Sequence, residues 1–368
     1  MRLSVRRAVV AVAVSLGPAA GSAQDVLIGA NNTGISIGDS RYVNGIRLNY
    51  RDCRLRRVNG INVTIWTPED GCWGGDVNGL ALGLPATGAR NVNGIAAGIF
   101  GVGAEDRLRG ISLGGLGIGA GEEVWGLSVG GLGVGTGGRL TGLSVGGLGI
   151  GAGGRIRGIA VGGLGVGSGG EVEGIALGGV GVGAGGGIRG LAASAIGVGT
   201  GGPATGILVG GVGVGAGGGA RGLTVGGVGV GSGGDLTGLS IAGIGLGAGG
   251  EIRGIALAGV GIGSGERITG FAGGGAVGAP EIVGGVLALA AGGEDVRGVV
   301  IAPAYFRIEQ GRLDGFAASA FNHIKGTQHG LTLGVFNYAR RLDGVQVGVL
   351  NYARNASGHR LLPLINWQ

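Results

Sequence analysis

The sequence predicts an all-β chain wound as a β-solenoid of glycine-rich coils of about sixteen residues. Three observations carry that expectation. Glycine recurs at a fixed spacing of 16 from Gly110 through Gly126 and Gly142 to Gly270, without a slip. A fixed period of this size marks a repeat architecture in which each copy packs on its neighbours. Within a copy the apolar residues lie two apart, as Ile159 and Val161 or Leu164 and Val166 do, and that is strand periodicity. Glycine makes up 101 of the 368 residues, and at about 1 kcal/mol per glycine no helix survives such a composition.

The copy that starts at Gly158 shows how a coil would close. The parity of the apolar residues flips between Val161 and Leu164, and Gly162-Gly163 sits at the flip. A corner there would point Ile159, Val161, Leu164 and Val166 all inward, and glycine takes corner dihedrals at least cost. Further corners are expected near Gly169-Gly170 and Glu173-Gly174. The residue ten after the leading glycine is always small, as in Ala152, Ser168, Ala184 and Thr200, and should face a narrow interior. Charges gather three before the leading glycine, at Glu123, Arg139, Arg155, Glu171, Glu251 and Arg267 among others. With coils ~4.8 Å apart, Glu123 would sit over Arg139, Arg155 over Glu171, and Glu251 over Arg267. Exposed pairs of this kind contribute about 0–1 kcal/mol each, so they would set register more than stability.

From the start of the chain, Met1 to Ala23 reads as a secretory signal peptide. Arg2, Arg6 and Arg7 form its basic start, Ala8 to Leu16 is a short apolar run, and Gly21-Ser22-Ala23 supplies small residues for cleavage. Its removal lowers the formal charge from +6 to +3. The remaining arginines share their columns with acids and few aromatics, so a nucleic-acid partner is not expected.

Residues 24–93 read as irregular N-terminal capping coils, paced by Val43-Asn44-Gly45, Val58-Asn59-Gly60, Val77-Asn78-Gly79 and Val92-Asn93-Gly94, with an insert at Thr67-Pro68-Glu69-Asp70. The only cysteines, Cys53 and Cys72, fall in adjacent coils at similar positions. An exported chain meets an oxidising compartment, and stacked coils suit the Cα separation of a disulfide. Free thiols and a metal or redox pair are the other readings. Residues 94–275 form the regular array. Residues 276–368 carry divergent copies of 14 to 17 residues and a closing cap. In its last two copies Asn337 would stack on Asn351 and Tyr338 on Tyr352, and an amide ladder of that kind stabilises stacked strands.

Those last copies also carry a resemblance. Gly344-Val-Gln-Val-Gly-Val-Leu-Asn351 and the ending Leu362-Pro-Leu-Ile-Asn-Trp367 resemble the bacterial surface-repeat-containing proteins, with their tandem Gly-(Val/Leu)-Gln-(Ile/Val)-Gly-(Leu/Val)-(Ile/Leu)-Asn units. The match covers roughly Gly330 to Trp367; the central copies keep its phase but carry Ala, Ser and Gly where it has Gln and Asn. The resemblance implies export and a place at the cell surface, the outer membrane or the periplasm, and it supplies no catalytic residues.

Tests for chemistry return little. Gly-x-Gly-x-x-Gly patterns recur by composition, but none opens a helix and no Gly-Lys-Ser or Gly-Lys-Thr follows. The glycine repeats lack the Asp that calcium-binding turns require. His323 and His329 share a coil without a third ligand near in sequence, and with His359 they read as exposed loop histidines. The column two after the leading glycine (Ser112, Ser128, Ser144, Ala160, Ala176) would give a flat face of small residues, but it lacks the regular Thr array of an ice-binding surface.

The expectation is therefore a non-catalytic structural, interaction or adhesive protein of the bacterial envelope, with no cofactor, no metal and no evident small-molecule substrate. Its partners would be envelope proteins, lipid or further copies, met along an apolar strip of Gly, Ala and Leu. Two alternatives stand beside it. One is an outer-membrane β-barrel or meander, favoured by a mean hydropathy of +0.46 and a 32-residue alternation of Arg with Thr before the leading glycine. The other is a carbohydrate-active solenoid enzyme, which would need clustered carboxylates.

Overall fold

A computed structural model describes residues 25–68, 72 and 74–368. The signal peptide expected over residues 1–23 lies outside them, as do Glu69 and Asp70 of the insert. The described residues are 73% strand without helix and form a β-solenoid of about 18 coils. It divides into two compact units, Met1–Gly170 and Glu171–Gln368. Each is described separately below.

In the first unit, every strand of the regular array pairs in parallel with its equivalent one repeat later. Leu140 lies opposite Ile156, Gly142 opposite Gly158, and Val145 opposite Val161. The shorter strands follow the same shift, with Gly133 opposite Gly149 and Thr136 opposite Ala152. The second unit does likewise, with Gly190 opposite Gly206 and Ile207 opposite Leu223. Neighbours in a meander or membrane barrel run antiparallel, so this register replaces the barrel alternative. The 32-residue alternation marks no reversal of direction, because each copy pairs with the very next one.

One coil holds a long strand and a short one. In the copy at Gly206 these are Ala204–Gly210 and Gly213–Ala216, before Ala220–Gly226 opens the next coil. The leading glycine bends the long strand without ending it: Gly206 has φ +124°. A Cβ there would lie 2.0 Å from the carbonyl oxygen of Gly190, one coil back. Positive φ and close backbone approach both demand glycine, so the period of 16 is a backbone requirement. The corner expected near Gly174 is such a bend, inside the strand Val172–Gly178.

The interior departs from expectation. In the copy at Gly142 the buried residues are Ser144, Gly146, Ile150, Ala152 and Ile156. Of the expected inward set in the next copy, Val166 is buried and Ile159 and Leu164 are not. Ile159 is 40% exposed and Leu164 55%, whereas Ala160 is fully buried and Val166 is 3% exposed. Alternation runs unbroken from Ile156 through Gly162, and the turn comes one residue later than expected, at Gly163–Leu164, which throws Leu164 outward. The physical reason is the turn. A Cβ on Gly162 would meet the Gly165 carbonyl oxygen at 2.1 Å, so the bend itself takes no side chain. In most coils two large side chains lie inside and three outside, whereas the copy at Gly190 buries Val198 and turns Leu191 and Ile196 outward. The small column does face inward, as Ala152, Thr200 and Ala216 show.

Different chemistry fills the end coils. Near the N-terminus, Asn44, Asn59, Asn78 and Asn93 form a hydrogen-bonded amide ladder along the surface, with links of 2.8, 3.0 and 2.9 Å. Inside, the fully buried Arg47 donates to Asp39 at 2.9 Å, to Asn62 at 3.1 Å and to Asp52. A buried charge needs such partners. Cys53 and Cys72 are joined as a disulfide, with Cα atoms 4.5 Å apart. The strand Val26–Ala30 folds back antiparallel on Thr33–Ile37 through Asn31 and Asn32, both at positive φ. At the other end, Leu361–Trp367 lies antiparallel on Val345–Tyr352.

Candidate interaction surface

The outward side chains of the regular array form three aliphatic columns, one, three and six residues after each leading glycine. In the first unit Leu143 is 40% exposed, Leu148 50% and Val145 half-buried. In the second unit Ile207 is 41% exposed, Val212 48% and Ile244 52%. No charged residue enters these columns from Gly110 to Ala276. Isolated exposed aliphatics are ordinary, but contiguous patches beyond a few hundred Å² mark contact surfaces.

Glycine shapes the ground between the columns. In the first unit an apolar groove of about 560 Å³ has Leu82, Leu113 and Val129 on one side, Leu84 and Ile99 on the other, and Gly83, Gly98 and Gly114 as its floor. Beyond the outermost ridge the short strands present only glycine. A Cβ on Gly215, Gly231 or Gly247 would meet nothing within 4 Å, so the fold leaves room that the sequence does not use.

Charged residues line the other edge, and some of their partners differ from the expected stack. Glu123 lies opposite Arg139 in register, yet its carboxylate takes Arg109 of the preceding coil at 2.9 Å. Arg267 pairs with Glu281 of the following coil, and Glu251 with Arg253 of its own coil. The Thr269 hydroxyl donates to Glu251 at 2.6 Å and, with Arg253 beside it, holds that carboxyl below its usual range. In the second unit Glu171, Glu173, Asp235 and Glu251 share the two charged columns with Arg189, Arg221, Arg253 and Arg267.

The C-terminal coils reverse the scheme. Their interior carries amides: Asn322 donates to Asn337 at 2.7 Å, Asn337 to Asn351 at 2.6 Å, and Gln346 to Gln328 at 3.1 Å. All five side chains are fully buried. Rings stand outside, with Tyr338 stacked on Tyr352 at 5.3 Å and Phe321 on His323 at 5.3 Å. His323 Nδ1 lies 3.0 Å from the Tyr305 hydroxyl; partial burial, then the nearby Lys325 and Arg307 charges, push its pKa down. His329 meets Asp343 at 3.1 Å, and His359 is exposed. No group of three or more His, Cys, Asp or Glu side chains suited to a metal gathers among the described residues.

The column two after the leading glycine is interior, with Ser112, Ser128, Ser144, Thr224 and Ser240 at most 4% exposed. It therefore offers no outer face to ice. The expected strip of Gly, Ala and Leu is in fact Leu, Ile and Val on a glycine ground. The signal that could have found it is a count. Every regular copy but the one at Gly190 holds five large aliphatics, as in Leu143, Val145, Leu148, Ile150 and Ile156, too many for so small a coil. No protein family, curated protein or solved structure matches the chain.

Proposed function

We propose that this is a non-catalytic interaction protein of the bacterial envelope, and that its aliphatic columns are the working surface. The observation that supports this reading is the uncharged outer face of Leu, Ile and Val, carried on strands whose backbone groups are paired within the stack. Such a face exposes side chains without exposing unpaired amides, so another apolar surface can cover it at little polar cost. Most of the described acids contribute to ion pairs along the coil edges; Asp25 and Asp39 line one small pocket near the N-terminus, where Arg47 and Arg54 hold Asp39 and the Ser40 hydroxyl donates to Asp25, so neither is placed as a free acid or base for carbohydrate cleavage. The export signal read over residues 1–23 and the resemblance of Gly330 to Trp367 to surface-repeat proteins are the grounds for the envelope assignment.

The test has two parts. Residues 1–23 fused to a reporter that is active only outside the cytoplasm should give activity, and an inactive fusion would remove the export reading. In cells of the native host, the full chain should stay with the envelope fraction. A variant carrying Val212→Lys, Val228→Lys and Ile244→Lys should be exported at the same level and then lost from that fraction. Retention of the variant would show that the columns are not the working surface.

A further inference from the structure

An exposed aliphatic face of this extent calls for an occupant. We infer that the occupant is a second copy of this chain, docked face to face through these columns; the inference rests on that proposed contact role and names its partner.

Spacing is the first argument. The ridges recur once per coil, at the ~4.8 Å separation of neighbouring strands. A helix laid along them repeats every 5.4 Å and drifts out of step by half a ridge within about four coils. A stack of the same coils keeps each ridge against a trough along its whole length. The molecule supplies both parts, because the ridge at Val212, Val228 and Ile244 runs beside bare Gly215, Gly231 and Gly247. Those glycines face open space, so their lack of side chains answers no need of the fold itself. It is what a partner's ridge would require.

Area is the second argument. Between Gly174 and Ala276 the three columns hold 21 positions, all uncharged, and all but Ala193, Gly273 and Ala276 are large apolar residues. At roughly 50 Å² of exposed aliphatic surface each, they present roughly 900 Å², against about 800 Å² per partner in a stable interface.

Charge is the third. Between Glu171 and Thr269 the bordering columns hold four carboxylates and four arginines. An anionic lipid surface would favour a surplus of arginine. A balanced edge does not repel its own copy, and a two-fold axis can bring arginines opposite acids.

The test is sedimentation of residues 24–368, prepared without detergent. The expected result is a dimer at roughly 50 µM, well above the dissociation constant that an interface of this size supports. The Val212→Lys, Val228→Lys, Ile244→Lys variant should keep its far-ultraviolet circular dichroism and dimerise at least about a hundred-fold more weakly, because ammonium groups would be buried unpaired. A second variant, Gly215→Thr, Gly231→Thr and Gly247→Thr, fills the trough where the monomer has room and should weaken the dimer likewise. A monomeric wild-type chain, or a dimer indifferent to both variants, overturns the inference. Flotation with phosphatidylethanolamine–phosphatidylglycerol vesicles separates the two readings. A monomer that floats, and loses flotation with the lysines, sinks the second copy but keeps the contact surface. A monomer that ignores vesicles, with a lysine variant still retained in the envelope, sinks both.

Discussion

Within the second unit, the coils between Gly174 and Gly270 and those between Phe321 and Ala353 distribute polarity in opposite ways. The first keep a dry interior of Val, Ile, Ala and Ser, and wear Leu, Ile and Val outside. The second bury Asn322, Gln328, Asn337, Gln346 and Asn351 and place rings and charges outside. They share a bent glycine at the start of the coil, with φ of +119° at Gly222 and +106° at Gly330. The difference teaches that the winding belongs to the backbone. Glycine bends and parallel hydrogen bonds set the coil, and either kind of interior can fill it provided buried amides find each other.

The largest effect should strike both regions alike. Gly222→Val and Gly330→Val each force a β-branched residue to positive φ, with a Cβ 2.2 and 2.1 Å from a carbonyl oxygen one coil back. Each should lose about 4 kcal/mol or more in urea unfolding. A loss below about 1 kcal/mol in either would mean that the bend is not what both regions share.

The next change should separate them. Asn337→Leu strands the amides of Asn322 and Asn351 in the interior and should cost about 2–4 kcal/mol. Ser240→Ala, at a buried position of the glycine coils, should change stability by about 1 kcal/mol or less. Equal losses would erase the proposed difference between the interiors. Gly231→Val sharpens the contrast within one coil. It occupies open outer space, so it should fall within about 0.5 kcal/mol of wild type, although its near neighbour Gly222 tolerates no such change.

The smallest effect concerns the rings. The folded pKa of His323 is lowered, so the unfolded chain binds the proton more readily. Its contribution to stability is complete above the unfolded value near 6.5 and fades as the pH falls below it. A modest fall in unfolding midpoint between about pH 7 and 5 is expected, and His323→Phe should flatten that slope. A midpoint that rises on acidification would contradict the assigned burial.

Much of this contrast was legible in the sequence. Period, strand content, the ladder of Asn337 on Asn351 and the stack of Tyr338 on Tyr352 follow from spacing alone, because parallel coils put equal positions side by side. The adjacent coils of Cys53 and Cys72 followed in the same way. Which residues face inward did not follow. Ile159 and Ala160 differ by one step of parity, and apolarity chose Ile159. The interior takes Ala160 there and Leu208 at the same place in another coil, so the backbone's parity and not the side chain's apolarity decides which residue turns inward, and no column of the sequence displays that parity. The outer face was misread for the same reason.

The antiparallel strand Leu361–Trp367 has a consequence for growth. A parallel coil is a template: its free edge presents the pattern that the next coil reads, and nothing in the array itself says when to stop. A strand laid in the opposite sense ends that copying, and this one also carries Pro363, which has no amide hydrogen to offer, and Leu364 at φ +65°, 73% exposed. The strand works like the chain-stopper of a polymerisation: the edge it covers is a poor template for a further parallel coil.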